Sequence, residues 1–502
     1  MITRNAPRHA LLGLILAGSL GTFVALPAVA DNAAPAEQGQ TTPALGSNLQ
    51  TLKELDGKAP ARRALNIQTW NTAEGARVLF VESRELPMFD MRLTFAAGSS
   101  QDQKSPGIAL LTNAMLNEGV KGKGVKGKDV NAIAQGFEGL GADFSNGSYR
   151  DMAVTSLRSL SAADKRDPAL KLFSEVVGKP TFPADSLARI KNQLIASFET
   201  QKQNPGAIAS KELFNRLYGD HPYAHPSEGD AKSINAITLA QLKAFHAKGY
   251  AAGNAVIALV GDLSRDEAQA VAAQVSASLP KGPALAKVAD PVEPKAGTTH
   301  IEFASNQTHL MLAQLGIDRN DPDYAALTVG NSVLGGGGFG SRLMTEVREK
   351  RGLTYGVSSG FTAMQVAGPF MIGLQTRAEM SENTLKLVQD IVRDFLANGP
   401  TQKEVDDVKR ELTGSFPLTA ASNSAIVGQL GAIGFYNLPL TYLEDYMAAA
   451  QSVTVEQVKA AMSKHLSADK MVIVTVGPTV EQKPLPAPTD KPTRQPVGVP
   501  EH

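Results

Sequence analysis

The sequence predicts an α+β protein made of two homologous halves. An internal repeat carries most of that reading. Ile237–Gly261 and Val453–Gly477 align without gaps at an offset of 216 and share ten identities in 25 positions. Each copy has a Thr able to cap a helix, an amphipathic helix, a short polar break, and an apolar strand ending in Gly. Two copies of one supersecondary unit imply two halves of about 210 residues. The second observation is the order of elements: strand-like segments run in sequence, with helices between and after them. This favours α+β layers over a doubly wound parallel sheet. The third is bulk composition. The 502 residues are 43% hydrophobic and 20% charged, an ordinary globular balance with ample chain for a core.

Taken in order, residues 1–30 read as a signal peptide. Arg4 and Arg8 precede an uncharged apolar run from Ala10 to Leu26, and Pro27-Ala28-Val29-Ala30 supplies a small-residue cleavage site. The other reading of this run is an uncleaved anchor, for which it is short. An exported chain without cysteine suits a periplasm. Residues 31–63, rich in Ala, Pro, Gln and Thr, read as a flexible linker. The first half spans 64–278. Arg77–Glu82 and Phe89–Ala97 are strand-like, and Pro106–Glu118 has helical spacing, with Ile108, Leu111, Met115 and Leu116 near one face. Residues 279–297, rich in Lys, Pro and Ala, form a linker. The second half spans 298–478. It has a strand at His309–Leu315, a helix at Tyr324–Leu334, and strands at Tyr355–Phe361 and Gly368–Gln375. Residues 479–502 are a Pro-rich extended tail.

Composition also excludes chemistry. Lys+Arg and Asp+Glu both number 49, so the chain has no electrostatic footprint for nucleic acid. It has no Cys, which rules out disulfides, thiolate metal sites and thiol catalysis. Among the eight His residues, His221-x-x-x-His225-x-x-Glu228 has metal-like spacing. Pro222 and Pro226 follow the two histidines directly, however, and deny them a continuous helix face. The run Gly335–Gly338 lacks the Gly-Lys-Ser/Thr of a phosphate loop. No nucleophile–base pair is visible.

Four segments carry a family resemblance: GARVLFVESRELPMFDMRLTFAAGSS at 75–100, HPYAHPSEGD at 221–230, IALVGD at 257–262, and GGGGFGSRLMTEVREKRGLTYGV at 335–357, the most specific. Over about residues 64–478 the chain resembles the insulinase/pitrilysin superfamily of zinc metallopeptidases, in its shorter processing-peptidase-like branch. The resemblance implies a fold of two halves, each a mostly antiparallel sheet backed by helices. It also implies an inverted His-x-x-Glu-His zinc motif on the helix after the AAGS-type strand. There, two His residues on one helix face would bind zinc and the Glu would activate water. This chain has Leu110, Asn113 and Ala114 at those three positions, and Ser197 near the family's downstream Glu ligand. No zinc and no other cofactor is therefore expected in this chain.

The family's second constellation survives as Arg348 and Tyr355 in an R-x-x-x-G-x-x-Y pattern, and Gly335, Gly336, Gly337 and Gly338 match its glycine-rich substrate-binding segment. An Arg can grip substrate carbonyls, and a Tyr hydroxyl can donate to an oxyanion. One half-site lost and the other kept implies a zinc-less subunit that completes a zinc-bearing paralogue acting on a peptide or unfolded segment. The alternative is a peptide-binding or scaffold protein with no part in hydrolysis.

Overall fold

Strand and helix boundaries follow apolar spacing and local capping. In the computed structural model, which describes residues 65–121 and 127–489, the first half runs β1 (Gln68–Asn71), β2 (Arg77–Glu82), β3 (Met88–Phe95), α1 (Ile108–Ala114), β4 (Gly119–Val120), β5 (Lys128–Asp129), α2 (Val130–Glu138), β6 (Asp143–Ser148), β7 (Ala153–Leu160), α3 (Ala163–Gly178), α4 (Ala184–Gln201), α5 (Pro205–Tyr218), α6 (Ala231–Ala236), α7 (Leu239–Gly249), β8 (Ala255–Gly261) and α8 (Arg265–Ser278). The second runs β9 (Gly297–Glu302), β10 (Gln307–Leu315), α9 (Tyr324–Asn331), β11 (Val357–Phe361), β12 (Pro369–Arg377), α10 (Ser381–Asn398), α11 (Gln402–Ser415), α12 (Asn423–Phe435), α13 (Tyr442–Ser452), α14 (Val455–His465) and β13 (Val472–Gly477). Between the halves, residues 280–296 hold neither helix nor strand. The signal peptide expected at 1–30, the linker at 31–63 and the end of the Pro-rich tail lie outside the described residues. No helix among those described is long and apolar enough to cross a membrane.

The repeat is real in three dimensions. Its two helices, α7 and α14, open with the same capping box, Thr238 with Gln241 and Thr454 with Gln457. Its two strands take the same place in their sheets. The first sheet has the order β1-β2-β8-β3-β7-β6 and the second β9-β13-β10-β12-β11. In each, the repeat strand runs parallel to one neighbour (β2 or β9) and antiparallel to the other (β3 or β10). All other pairs within the two sheets are antiparallel. Each half is thus a mostly antiparallel sheet with helices packed on it.

Both faces of each sheet's centre are buried, so the repeat strands read as unbroken apolar runs. Ile257 and Leu259 of β8 point into one core, and Ala258 and Val260 into another. The second face is covered by a helix from the other half. Ala209, Leu213 and Leu217 of α5 pack on Met311, Ala313 and Val474 of the second sheet. Ile426, Val427, Leu430 and Ile433 of α12 pack on Leu79, Val81, Ala258 and Val260 of the first. The halves exchange one helix each.

The strands expected at 89–97, 309–315 and 368–375 run instead over Met88–Phe95, Gln307–Leu315 and Pro369–Arg377, and three further elements differ at their ends for identifiable reasons. The helix expected over 106–118 is regular only from Ile108 to Ala114, because Gly107 starts it at φ +91. The helix expected over 324–334 leaves α geometry after Asn331 and widens, with Gly337 N–H donating to the Ser332 carbonyl five residues back. The strand expected from Tyr355 begins at Val357. Gly352 turns the chain at φ +60, and Thr354 Oγ1 closes a further turn with Gly356.

Candidate functional site

Helix α1 carries the positions of the family's zinc motif. Gly107 N–H and Ala109 N–H both donate to the Asp102 carboxylate, at 2.6 and 2.9 Å, which fixes the start of the helix. Leu110 and Ala114 lie against the cluster formed by Ile108, Leu111, Leu194, Phe198 and Leu242. Asn113 is only 3% exposed. Its amide donates to the Tyr250 hydroxyl at 3.1 Å and to the Val154 carbonyl at 3.3 Å. Ser197 sits half-buried on α4, whose Leu194 and Phe198 face the same cluster. The structure therefore sets Leu110, Asn113 and Ala114 on one helix and Ser197 on α4, whose Leu194 and Phe198 share a cluster with Leu110 and Ala114. Apolar packing and the neutral Asn113 amide, bonded to the Tyr250 hydroxyl, occupy the motif helix, which does not fit a zinc ion.

The histidines of the His221/His225 loop are engaged separately. His221 Nε2 lies 2.8 Å from the Ala289 carbonyl, its Nδ1 accepts from Tyr223 N–H, and His225 Nδ1 meets the Pro226 carbonyl. The loop ties the halves together. Tyr223 donates to Asp151, whose other oxygen accepts from Gln365 N–H of the second half at 2.8 Å. His246 is buried and bonds the Val177 carbonyl at 2.7 Å. Asp321, Asp323 and His465 converge closely, but Lys464 Nζ already occupies Asp323 at 2.7 Å, making this an ion-pair cluster.

Arg348 and Tyr355 stand on a different surface. Met344–Glu349 is a second widened helical turn, with Lys350 N–H donating to the Thr345 carbonyl. Of the two acids on that turn, Glu346 is taken by Lys350 at 2.6 Å and Arg351 at 2.8 Å, and Glu349, next to Arg348 in sequence, is exposed. Among the described residues no carboxylate pairs with Arg348. Its guanidinium instead lies over the ring of Phe339, 4.7 Å from the centroid. The chain then folds back, with Leu353 N–H donating to the Val347 carbonyl. Leu353 is buried, and its carbonyl accepts from Thr376 Oγ1 at 2.7 Å. Tyr355 projects from this anchored turn at 85% exposure.

The glycine run divides by role. A Cβ on Gly335 would stand 2.5 Å from Ser359 Oγ, one on Gly336 2.4 Å from Asn331 Nδ2, and one on Gly337 2.6 Å from the Ser332 carbonyl. These three are explained by packing against β11 and the widened turn. Gly338 differs: it has φ +59 and open space around it, and it leads into the exposed Phe339. Sequence reading missed two roles here. One is the aromatic seat of Arg348 on Phe339. The other is Arg342, which makes a two-pronged bond to Glu404 at 2.8 and 2.9 Å and braces this segment against α11.

Two exchanged α+β halves, a motif helix without metal ligands, a half-buried Arg348 and an exposed Tyr355 define the class: a zinc-peptidase fold whose own metal centre is filled in. Comparison with known proteins agrees. Residues 77–231 match the insulinase (peptidase family M16) domain, and 236–412 match the peptidase M16 inactive domain. The chain is 76% identical to the crystallised peptidase M16 inactive domain from Pseudomonas fluorescens, with a TM-score of 0.81, covering 84% of this chain and all of that one. It is 28% identical to the non-peptidase homolog YmxG of Helicobacter pylori over 82% of this chain and 94% of that protein. It is 27% identical to an uncharacterized zinc protease of Mycobacterium bovis over 63% of this chain and 73% of that protein. A crystallised protease from Helicobacter pylori, 18% identical, shares the fold with a TM-score of 0.75, covering 83% of this chain. The chain belongs to the M16 peptidase family, as an inactive homologue.

Proposed function

We propose that this chain is the zinc-less subunit of a heteromeric periplasmic M16 peptidase, contributing Arg348 and Tyr355 to a site whose metal and water-activating carboxylate come from a zinc-bearing paralogue. The observation that carries the reading is the state of the pair. Among the described residues no carboxylate pairs with Arg348 while Glu346 is shared by its neighbours, and Tyr355 presents its hydroxyl to solvent from an anchored turn. A group held rigidly and left without an internal partner is suited to a reacting ligand. Arg348 would grip carbonyls of a peptide, and Tyr355 would donate to the oxyanion that develops at the scissile carbon. Strands β6 and β11 each pair on one side only, so an extended peptide could add there as a further strand.

The test is steady-state kinetics on the reconstituted heteromer. Tyr355→Phe removes a donor used mainly in the transition state, so kcat should drop by about 10²–10³-fold with little change in binding. Arg348→Ala should weaken binding as well as turnover, because carbonyl contacts also act on the ground state. Size-exclusion chromatography should show both variants still assembled. Intact turnover in an assembled Tyr355→Phe complex would make this chain a scaffold instead.

A further inference from the structure

Beyond β13 an extended strap crosses the second half and is fixed along its length. Thr479 N–H and Oγ1 both donate to the Glu302 carboxylate at the end of β9, the hydroxyl at 2.7 Å. The Gln482 side chain donates to the Ala378 carbonyl at 3.0 Å and accepts from Glu382 N–H at 3.1 Å, where α10 begins. Lys483 N–H donates to the Glu379 carbonyl at 2.7 Å, and the Lys483 carbonyl accepts from Asn383 Nδ2 at 2.8 Å. Leu485 packs on the second core. Pro484, Pro486 and Pro488 keep the strap out of helix. Its last contact is the Lys350 carbonyl, which accepts from Thr489 N–H at 3.0 Å and from Thr489 Oγ1 at 3.2 Å.

That contact brings the strap to the turn that carries Arg348. Lys350 follows Met344–Glu349 directly, and Gly352 N–H returns to the Arg348 carbonyl at 2.8 Å. Tyr355 stands five residues beyond Lys350 in sequence, so it lies at most about 18 Å away along the chain. Residues 490–496 continue the strap, and in an extended Pro-rich conformation they reach about 22 Å. The strap is therefore long enough to pass over both side chains of the proposed peptide site.

The segment and the surface also match in chemistry. Among the described residues no carboxylate pairs with Arg348, and the residue after Thr489 is Asp490. Phe339 and Tyr355 are 54% and 85% exposed. Bare aromatic rings are what polyproline-type segments dock on, and Pro492 and Pro496 come next in the strap. We infer that residues 490–496 of this chain lie over Arg348 and Tyr355 and cover the peptide site from within until an incoming peptide displaces them. An exposed ion pair and a proline on a ring are weak contacts singly. Tethering makes weakness sufficient, because a short linker holds the segment at an effective concentration on the order of 1 mM. A contact of about 0.1 mM affinity would then make an added peptide bind about tenfold more weakly. This inference rests on the reading of Arg348 and Tyr355 as a peptide site, and adds how that site is regulated.

The test is pulsed dipolar spectroscopy on the full chain alone, which has no cysteine of its own. Spin labels go on Lys386→Cys, exposed on α10, and on Val497→Cys, just past the docking segment. A docked segment gives one narrow distance distribution, and the added pair Tyr355→Ala with Asp490→Asn broadens it. A broad distribution without that pair, or a narrow one that the pair leaves unchanged, overturns the inference. In the reconstituted heteromer, a chain ended after Thr489 keeps the Lys350 contact and loses the cover. Its KM for peptides should fall about tenfold at unchanged kcat. An unchanged KM in an assembled, active heteromer overturns the regulatory role. The distances need neither partner nor turnover. A docked segment on a chain whose Tyr355→Phe variant keeps full turnover would sink the subunit reading and leave the docking in place.

Discussion

Asn113 shows that a missing metal site can be a repacked one. In the family motif its position holds a carboxylate. Here a neutral amide spans the Tyr250 hydroxyl and the Val154 carbonyl. A Glu at 113 would set a carboxylate against that carbonyl in a site 3% exposed. The triple change Leu110→His, Asn113→Glu, Ala114→His should therefore cost about 2–4 kcal/mol of stability. It should bind no stoichiometric zinc, because α4 offers Ser197 at the family's acid position, and its nearest acid, Glu199, is exposed and paired with Lys202. Thermal melts and metal analysis check this, and tight zinc uptake by the variant would show that the fourth ligand position is elsewhere. Asp102, five residues before α1 starts its first bonds, yields a pH prediction. Burial pushes its carboxyl up to about 8, against the opposing pull of its two backbone N–H donors. An unfolded Asp titrates near 3.9. Between those values the folded chain holds a proton that the unfolded chain releases, so the stabilising contribution of protonated Asp102 is complete below about pH 4 and is lost as pH rises to 8. Asp102→Asn lacks this loss. Its stability relative to wild type should grow from pH 5 to pH 9 in denaturant melts, and a flat difference would show that the two N–H donors keep Asp102 ionised. The residue identities at 110, 113 and 114 were legible because zinc accepts few side chains. The Asn113–Tyr250 bond was not, because nothing local marks residues 137 apart in the chain as partners.

Among the elements, α12 depends most on glycine. Gly431 and Gly434 lie where the helix meets the first sheet, and Gly428 does not. A Cβ at Gly434 would come 2.3 Å from Val256 Cγ1 and 2.8 Å from Leu79 Cδ1, whereas one at Gly428 meets nothing within 4 Å. Gly434→Ala should therefore destabilise by about 1–3 kcal/mol through overpacking. Gly428→Ala should stabilise by about 0.5–1 kcal/mol through helix propensity alone. Denaturant melts of the two variants, opposite in sign, would confirm how closely α12 sits on the sheet. Equal effects would mean that the helix moves out to accommodate either methyl group. Most elements were legible beforehand, since the Thr-x-x-Gln caps and the apolar runs of β8 and β13 declare themselves locally. The exchange of α5 and α12 was not. An apolar helix face says that something covers it, but Ala209, Leu213 and Leu217 contain no instruction to choose the second sheet over the first. The widened turns at Ser332–Gly336 and Met344–Glu349 were equally silent, because they arise where packing to β11 and α11 overrides regular helix spacing.

At the level of the whole molecule, helix exchange changes what the repeat means. Two homologous halves joined by an irregular segment would ordinarily be separable domains. Here each half lacks one cover for its own sheet and holds the cover for the other. A half on its own would expose the apolar face of β2 and β8, or that of β10 and β13, together with the apolar face of its own donated helix. Such a surface is too large to leave in water. The connecting segment itself contributes little beyond its first part. Leu285 N–H bonds Asn254 and the Ala289 carbonyl meets His221, while Val292 is almost fully exposed. A protease site inserted between Val292 and Glu293 should cut cleanly without releasing either half. The two fragments should co-elute on size-exclusion chromatography and melt in one transition, below that of the intact chain because the halves are no longer tethered. Mixed from denaturant they should recover the native near-UV spectrum only together, and each alone should aggregate or stay loosely packed. Two folded species that separate on the column would show that the helix exchange contributes little, and that the halves are independent domains after all.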